Sequence, residues 1–319
     1  METISPTFLW GAIAAAQKPP PFFHSMIAVV TGANKGIGLE IVKQLASNGV
    51  MVLLTARDEK RGNEAVENLI KSGVSDVLFH QLDVSDPASI ASLAEFIKWK
   101  FGKLDILVNN AGVGGHIKAT PQDAAESEEK SEKSEAARMF KLISESTETY
   151  ETAVECLNIN YYGTKRVTEK LIPLLRLSDV PRIVNLSSIF GKLEFMSNEM
   201  IAKQLSDRNG ITEEGLDEVL KSFLNDFKEG KVESNGWPIG LSAYKVSKMA
   251  INAHTRIIAK KFPTFCINSV HPGFVRTDMT GSIGTMSPEE GAKVPVMLAL
   301  LPKDGPSGCF YMEDKQSYF

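Results

Sequence analysis

Cysteine is scarce. The chain has three in 319 residues, Cys156, Cys266 and Cys309, and their wide separation makes neither a disulfide framework nor a C-x-x-C metal or redox motif. No metal is expected, and a reducing, cytoplasmic setting fits best. A long hydrophobic run near the start is missing too: Phe8 to Ala16 spans nine residues, far below the ~20 that cross a bilayer. Glu2 ahead of that run and Lys18 behind it reverse the charge order of a secretory leader, and no arginine precedes Arg57, unlike an Arg-rich transit peptide. Charge of neither sign dominates. The 35 basic and 39 acidic side chains leave a net charge of −4, which offers no footprint for nucleic acid or an anionic membrane. No segment repeats, and 24 glycines with 15 prolines are an ordinary complement, so collagen-like, disordered and solenoid classes are excluded.

What is present is 43% hydrophobic residues, enough for a sizeable core in one large or two modest domains. Residues 1–25 read as an extension separated from the rest by Pro19 to Pro21. From Ile27 the chain alternates short apolar runs with amphipathic segments. Strands are expected at Ile27 to Val30, Val50 to Thr55, Val77 to Leu82, Leu104 to Val108, Arg182 to Leu186, Cys266 to Val270 and Gly308 to Tyr311. Helices are expected from Gly36 to Leu45, Asp58 to Lys71 and Asp86 to Phe101. Strands that are apolar throughout are buried on both faces, which predicts a Rossmann-type, doubly wound α/β sheet of seven parallel strands in a single domain over residues 26–319. Two inserts break the rhythm, at about residues 115–149 and 192–241. The first carries an acidic run from Asp123 to Glu135, read as a solvated helical face. The second holds Leu216, Val219, Leu220, Phe223, Leu224 and Phe227 at helical spacing after Thr212, a plausible N-cap followed by Glu213 and Glu214. This predicts a helical insert lying on another surface, over the active site.

Chemistry-bearing residues fall at the ends of the expected strands, where open α/β sheets bind ligands. Thr31-Gly32-Ala33-Asn34-Lys35-Gly36-Ile37-Gly38 lies between a strand and a helix, where small residues let backbone N–H groups approach a pyrophosphate. A tight turn alone would use the same glycines. Past the second strand, where a carboxylate binds the ribose of NAD roughly 20 residues beyond the glycines, Thr55-Ala56-Arg57 supplies a guanidinium instead. With Lys35 it makes two cations for a 2′-phosphate, favouring NADP(H). Asp83 and Asn109 end the third and fourth strands, as ligand neighbours or as turn formers. Ser187-Ser188 ends the strand from Arg182, and Tyr244 and Lys248 stand at i and i+4. On a helix that spacing places phenol and ammonium on one face, and a nearby cation lowers a phenol's pKa.

The order of these motifs resembles the short-chain dehydrogenase/reductase family: T-G-x-x-x-G-x-G at 31–38, N-N-A-G at 109–112, Ser187-Ser188, and Y-x-x-x-K at 244–248. The match runs over about residues 27–312. The spacing of 56 residues from Ser188 to Tyr244 is long for that family and resembles its plant terpenoid and alkaloid reductases, with animal carbonyl reductases as near relatives.

The resemblance implies that Tyr244 protonates a carbonyl oxygen, Ser188 hydrogen-bonds it, Lys248 tunes the tyrosine and binds the nicotinamide ribose, and Asn160 holds the water of a proton relay. It implies that Gly32, Asn34, Gly36, Ile37 and Gly38 cradle the pyrophosphate, with Lys35 and Arg57 on the 2′-phosphate. Asp83 and Val84 would flank adenine, while Asn110, Ala111 and Gly112 would lie beside the ribose and nicotinamide. Pro272, Gly273, Val275 and Thr277 would meet the carboxamide, and the pro-S hydride would move from C4. Candidate substrate residues are Gly114, His116, Phe190, Met196, Met279 and Met286, with Tyr161, Phe195 and Ile117 nearby. Such soft, apolar walls suit a hydrophobic cyclic ketone. A monomer is expected, since in that branch the insert covers a helix other members use for pairing. A broad carbonyl reductase, reduction of an enone C=C bond, and a non-catalytic NADP-binding protein are the other readings. The intact Asn160, Ser188, Tyr244 and Lys248 set argues against the last two.

Overall fold

Each strand buries alternate residues on opposite faces, so a sheet of such strands needs helices on both sides. The computed structural model describes residues 26–116, 134–144, 146–207 and 210–319. The expected extension at 1–25, Ile117 and nearly all of the acidic run lie outside the described residues. The strands β1 (Ile27–Val30), β2 (Met51–Ala56), β3 (Val77–Gln81), β4 (Ile106–Asn109), β5 (Arg182–Leu186), β6 (Cys266–His271) and β7 (Phe310–Met312) pair in parallel. Where seven strands are expected, the described residues form eight. A short β8 (Lys315–Ser317) folds back antiparallel on β7, giving the order β3-β2-β1-β4-β5-β6-β7-β8. The turn between them is Glu313-Asp314, with Glu313 at φ +54°. It lacks the Asn-Gly or Asp-Gly pair that normally signals a two-residue hairpin.

Connecting helices alternate sides. On one face α1 (Gly36–Ser47), α2 (Glu59–Lys71) and α10 (Pro288–Ala299) cover Ala28 and Val30 of β1, and on the other α3 (Pro87–Phe101), α6 (Thr164–Leu175) and α9 (Ser242–Lys261) cover Val29. Asp58 and Asp86 cap α2 and α3 through the amides of Arg61 and Ala88, each cap worth about 1 kcal/mol. Strand order reverses between β1 and β4, and that switch point opens the crevice at the carboxyl edge.

The inserts lie beside this sandwich, and the second joins a third hydrophobic cluster with residues of α9. The first gives α4 (Glu135–Ser144), ahead of α5 (Tyr150–Leu157); the second gives α7 (Glu199–Ser206) and α8 (Glu213–Lys228). Thr212 caps α8 as expected, its hydroxyl accepting the Gly215 N–H at 3.1 Å. Leu216, Val219, Leu220 and Phe223 bury the apolar stripe of α8 against Met249, Ala250 and Ala253 of α9, each large side chain contributing about 1.5–3 kcal/mol. Polar contacts set the register: Lys165 pairs with Asp217 at 2.6 Å, Tyr161 donates to Asp217 at 2.9 Å, and Lys261 donates to Glu213 at 2.9 Å.

Candidate active site

The crevice begins with a loop that leaves no room for a side chain at Gly32 or Gly38. Gly32 and Gly36 lie at φ +61° and +60°, and a Cβ at Gly32 would fall 2.9 Å from the Ala111 Cα. One at Gly38 would fall 2.5 Å from Asn110 Nδ2. The amide of Asn110 clips this loop, donating to the carbonyls of Thr31 at 2.8 Å and Gly32 at 3.0 Å, while the Thr31 hydroxyl accepts the amides of Asn110 and Ala111. Above the loop, α1 starts at Lys35 with no side-chain cap and no acidic residue in its first turn. Its positive end is open to an anion, so a close-approach glycine cradle and an uncapped helix both fit a dinucleotide pyrophosphate. Ile37 packs on the first core.

Around this cradle stand the other expected cofactor residues. Arg57 is exposed at the end of β2, and Asn34 borders a groove of about 390 Å³ shared with Arg61 and Lys43. Lys35, expected to face a phosphate, is ion-paired with Asp278. Asp83 closes a turn by accepting from the Ser85 amide and hydroxyl at 2.9 and 2.6 Å, and Val84 packs near Gly163. Asn109 points away from the crevice, donating to Thr168 and Asn185 inside the core. A Cβ at Gly36 would touch Thr277 at 3.5 Å, so the segment after β6 meets the glycine loop. In that segment Val275 is buried, and Gly273, at φ +91°, sits under Met286. Pro272, Gly273 and Met286 line a second cavity of about 310 Å³ with His271.

Ser188, Tyr244 and Lys248 converge at the same edge. Ser188 follows β5 in extended backbone, its hydroxyl accepting the Phe190 amide at 3.2 Å, and its side chain faces the Tyr244 phenol. Ser187 turns the other way, toward the Lys248 carbonyl at 3.4 Å. Lys248 is buried, donates to the Leu186 carbonyl at 2.8 Å and lies 5.5 Å from the Tyr244 ring centroid. The expected lowering of the tyrosine by this lysine is not what the geometry produces. Burial pushes the Tyr244 phenol up to about 12, the Ser188 hydrogen bond opposing it, and pushes Lys248 down to about 8. The reason is desolvation: taking either charge out of water outweighs the neighbouring group that would stabilise it. At neutral pH Tyr244 is a phenol holding a proton beside an ammonium.

Asn160 lies in a π-helical turn, Asn158–Gly163, between α5 and α6, a distortion frequent at functional sites. Its side chain accepts the Val113 amide at 2.8 Å and donates to the Val113 carbonyl and the Ser247 hydroxyl, both at 3.0 Å. That clamps the strand-end loop to the residue preceding Lys248. The expected substrate residues divide. Phe190 packs edge-on against both Tyr244 and Phe195, and Met279 is partly exposed after β6. Gly114 meets His116, whose ring bonds back to the Gly114 carbonyl at 3.0 Å. Met196 is core, buried among the insert residues, and Tyr161 is fully buried beneath α8 with its hydroxyl on Asp217. Both were expected as pocket lining, but apolar composition alone does not separate a pocket wall from a core.

Two polar residues missed by the motif reading stand here. Lys245 places its ammonium 5.3 and 5.4 Å from the Phe190 and Phe195 ring centroids and donates to the Ile239 carbonyl at 2.7 Å. Glu148 accepts three hydrogen bonds from the first residues of α9. The only signal for the latter was that Leu241, just before α9, offers no capping side chain.

A family model described as short chain dehydrogenase matches residues 26–200. The chain is 55% identical over 296 residues to (+)-neomenthol dehydrogenase of Arabidopsis thaliana, covering 92% of this chain and 97% of that one. It is 52% identical over 303 residues to (−)-isopiperitenone reductase of Mentha piperita, covering 90% and 96%. The NADPH carbonyl reductase 1 of Mus musculus is 37% identical over 298 residues, covering 91% and 96%. Among solved structures, salutaridine reductase of Papaver somniferum superposes with a TM-score of 0.85 at 52% identity, covering 90% of this chain and 99% of that one.

Proposed function

The chain belongs to the short-chain dehydrogenase family and is an oxidoreductase built to bind a nicotinamide cofactor, and from that premise we propose that it uses NADPH to reduce an apolar cyclic ketone, of the terpenoid or alkaloid class, to a secondary alcohol. The observation that carries this reading is the buried Ser188–Tyr244–Lys248 constellation beside an uncapped glycine-rich helix start. The ketone class is supported by relatives named for a cyclic terpenoid alcohol, neomenthol, which oxidation turns into a ketone, and for the alkaloid salutaridine. NADPH is supported by Arg57 and Lys35 at the end of the glycine cradle and by the NADPH-named relative.

Bound NADPH supplies the hydride. The chain's own residues bind, orient and move a proton. Gly32, Asn34, Gly36, Ile37 and Gly38 would hold the pyrophosphate against the positive end of α1, and Arg57 and Lys35, the latter paired with Asp278, would offer charge to the 2′-phosphate. Asp83 and Val84 would border the adenine, Asn110, Ala111 and Gly112 the ribose, and Pro272, Gly273, Val275 and Thr277 the carboxamide. Tyr244 donates its Oη proton to the carbonyl oxygen as charge develops there, and Ser188 donates a hydrogen bond to the same oxygen. Lys248 binds the ribose hydroxyls and offers a positive charge beside the phenol that has lost its proton. Asn160 keeps Val113 and Ser247 in place around that exchange. Phe190, Met279 and Met286 exclude water at the reacting face.

Tyr244→Phe tests the assignment. It removes the proton and leaves the cradle, so ketone turnover falls by about 10²–10⁴ while NADPH still quenches protein fluorescence at the same concentration. A variant that keeps its kcat defeats the assignment.

A further inference from the structure

The helix that carries Tyr244 and Lys248 does not cap itself. Leu241, its N-cap, has no acceptor on its side chain and lies at φ +55°, directly after Gly240 at φ +65°. Left-handed backbone is unfavourable for a leucine, and such a conformation persists only where its surroundings enforce it. Glu148, 94 residues before Ser242, does so. Its Oε2 accepts the Ser242 amide at 2.8 Å and the Ser242 hydroxyl at 3.0 Å, and its Oε1 accepts the Ala243 amide at 3.0 Å. These amides are among those a helix start leaves unpaired, and bonds to a carboxylate are the stronger, charge-assisted kind. The same turn is held from two other sides. Lys245 grips the Ile239 carbonyl at 2.7 Å, and Ile143 of α4 packs so closely that a Cβ on Gly240 would fall 2.5 Å from its Cγ2.

Glu148 is rigidly presented. The next residue, Thr149, caps α5 in a reciprocal capping box with Thr152, and α5 packs along α9. Cap and carboxylate are adjacent in sequence, so the start of α5 sets the start of α9. Tyr244 is the third residue of α9, next to the held Ala243. Its partner Ser188 lies on a different part of the chain, just past the end of β5. The alignment of phenol and hydroxyl therefore depends on where α9 begins.

We infer that Glu148 is a positioning residue: its carboxylate, at the end of the first insert, anchors the first turn of α9 and thereby holds Tyr244 in register with Ser188. The insert is then part of the catalytic apparatus. The kinetic consequence rests on the ketone-reductase reading; the structural one does not.

Glu148→Ala and Glu148→Gln in the full chain test this. In Glu148→Ala, kcat for a cyclic ketone drops by about ten- to hundredfold, with the ketone KM and the NADPH Kd within about twofold of wild type, because misplacing one group slows the chemistry without removing the binding surfaces. Glu148→Gln retains more activity than Glu148→Ala, since one oxygen still accepts. Independently of turnover, amide hydrogen exchange at Ser242 and Ala243 accelerates by at least about tenfold in Glu148→Ala. Unchanged kcat in Glu148→Ala, a loss of NADPH affinity equal to the loss of kcat, or unchanged exchange at those two amides overturns the proposal. A wild-type chain that reduces no ketone defeats the ketone-reductase reading instead, and the exchange measurement still decides the role of Glu148.

Discussion

Burial acts in opposite directions on the two groups of the Y-x-x-x-K motif. It holds Tyr244 near 12 and Lys248 near 8, so raising the pH through about 8 removes the ammonium while the phenol keeps its proton. A rate that needs both the proton and the adjacent charge is therefore flat below about pH 8 and declines above it. A pH profile of kcat/KM for reduction checks this, and Lys248→Arg, whose guanidinium stays charged, loses that alkaline decline. At the far end of the cradle, Arg57→Ala weakens NADPH binding by about tenfold and leaves NADH nearly unaffected, the loss of one charge-assisted contact. Lys35→Ala costs less, because the free enzyme already satisfies that ammonium with Asp278; titration of both cofactors by fluorescence measures each effect. Motif spacing made it legible that Ser188, Tyr244 and Lys248 share one edge, and the structure brings them together there. It did not reveal that Asn109 faces the core, that Asn110 spends its amide on the loop carbonyls, or that Lys35 pairs with Asp278. Each of those depends on a partner 59 to 243 residues away.

At the scale of elements, α8 joins the fold through a buried polar cluster. His254 of α9 is 1% exposed with neither ring nitrogen hydrogen-bonded among the described residues. It faces Glu213 and Asp217 of α8 and the ammonium groups of Lys165 and Lys261, and burial lowers it to about 4, Glu213 opposing the shift. A histidine whose folded pKa lies below its ordinary value of about 6.5 stays neutral in the fold, while the unfolded chain takes up a proton. Stability is therefore complete above about pH 6.5 and declines as the pH falls toward 4. Thermal unfolding followed across that range shows the decline, and His254→Leu lessens it by removing the group that must desolvate. The stripe of α8 and its Thr212 cap were legible from the 3.6-residue period and the Thr-Glu-Glu start. The surface it lies on was not, because the matching residues are spread over α5 and α9. The short β8 was hidden for a different reason: its turn uses Glu313 in left-handed backbone, which no turn preference of the sequence announces.

For the molecule as a whole, the alternation of strands and helices made the doubly wound fold legible from one end of the domain to the other. Continuous apolar strands left few other ways to bury them. The inserts were visible only as interruptions, since their value lies in contacts with parts of the chain already folded. Among the described residues, α8 covers the flank of α5 and α9, and β8 pairs with what would otherwise be the open edge of β7, a covering that fits the expected monomer. Light scattering at micromolar concentration accordingly gives a mass near 34.9 kDa, and twice that mass contradicts it. The central claim, a tyrosine-dependent reduction of a cyclic ketone by NADPH, is tested most directly by following NADPH consumption over a panel of terpenoid and alkaloid ketones with wild-type and Tyr244→Phe protein, and identifying the product. The account predicts a secondary alcohol formed by the wild type, faster with NADPH than with NADH, and turnover lower by about 10²–10⁴ in the variant. A product reduced at a C=C bond with its carbonyl intact, a preference for NADH, or no turnover of any ketone contradicts it.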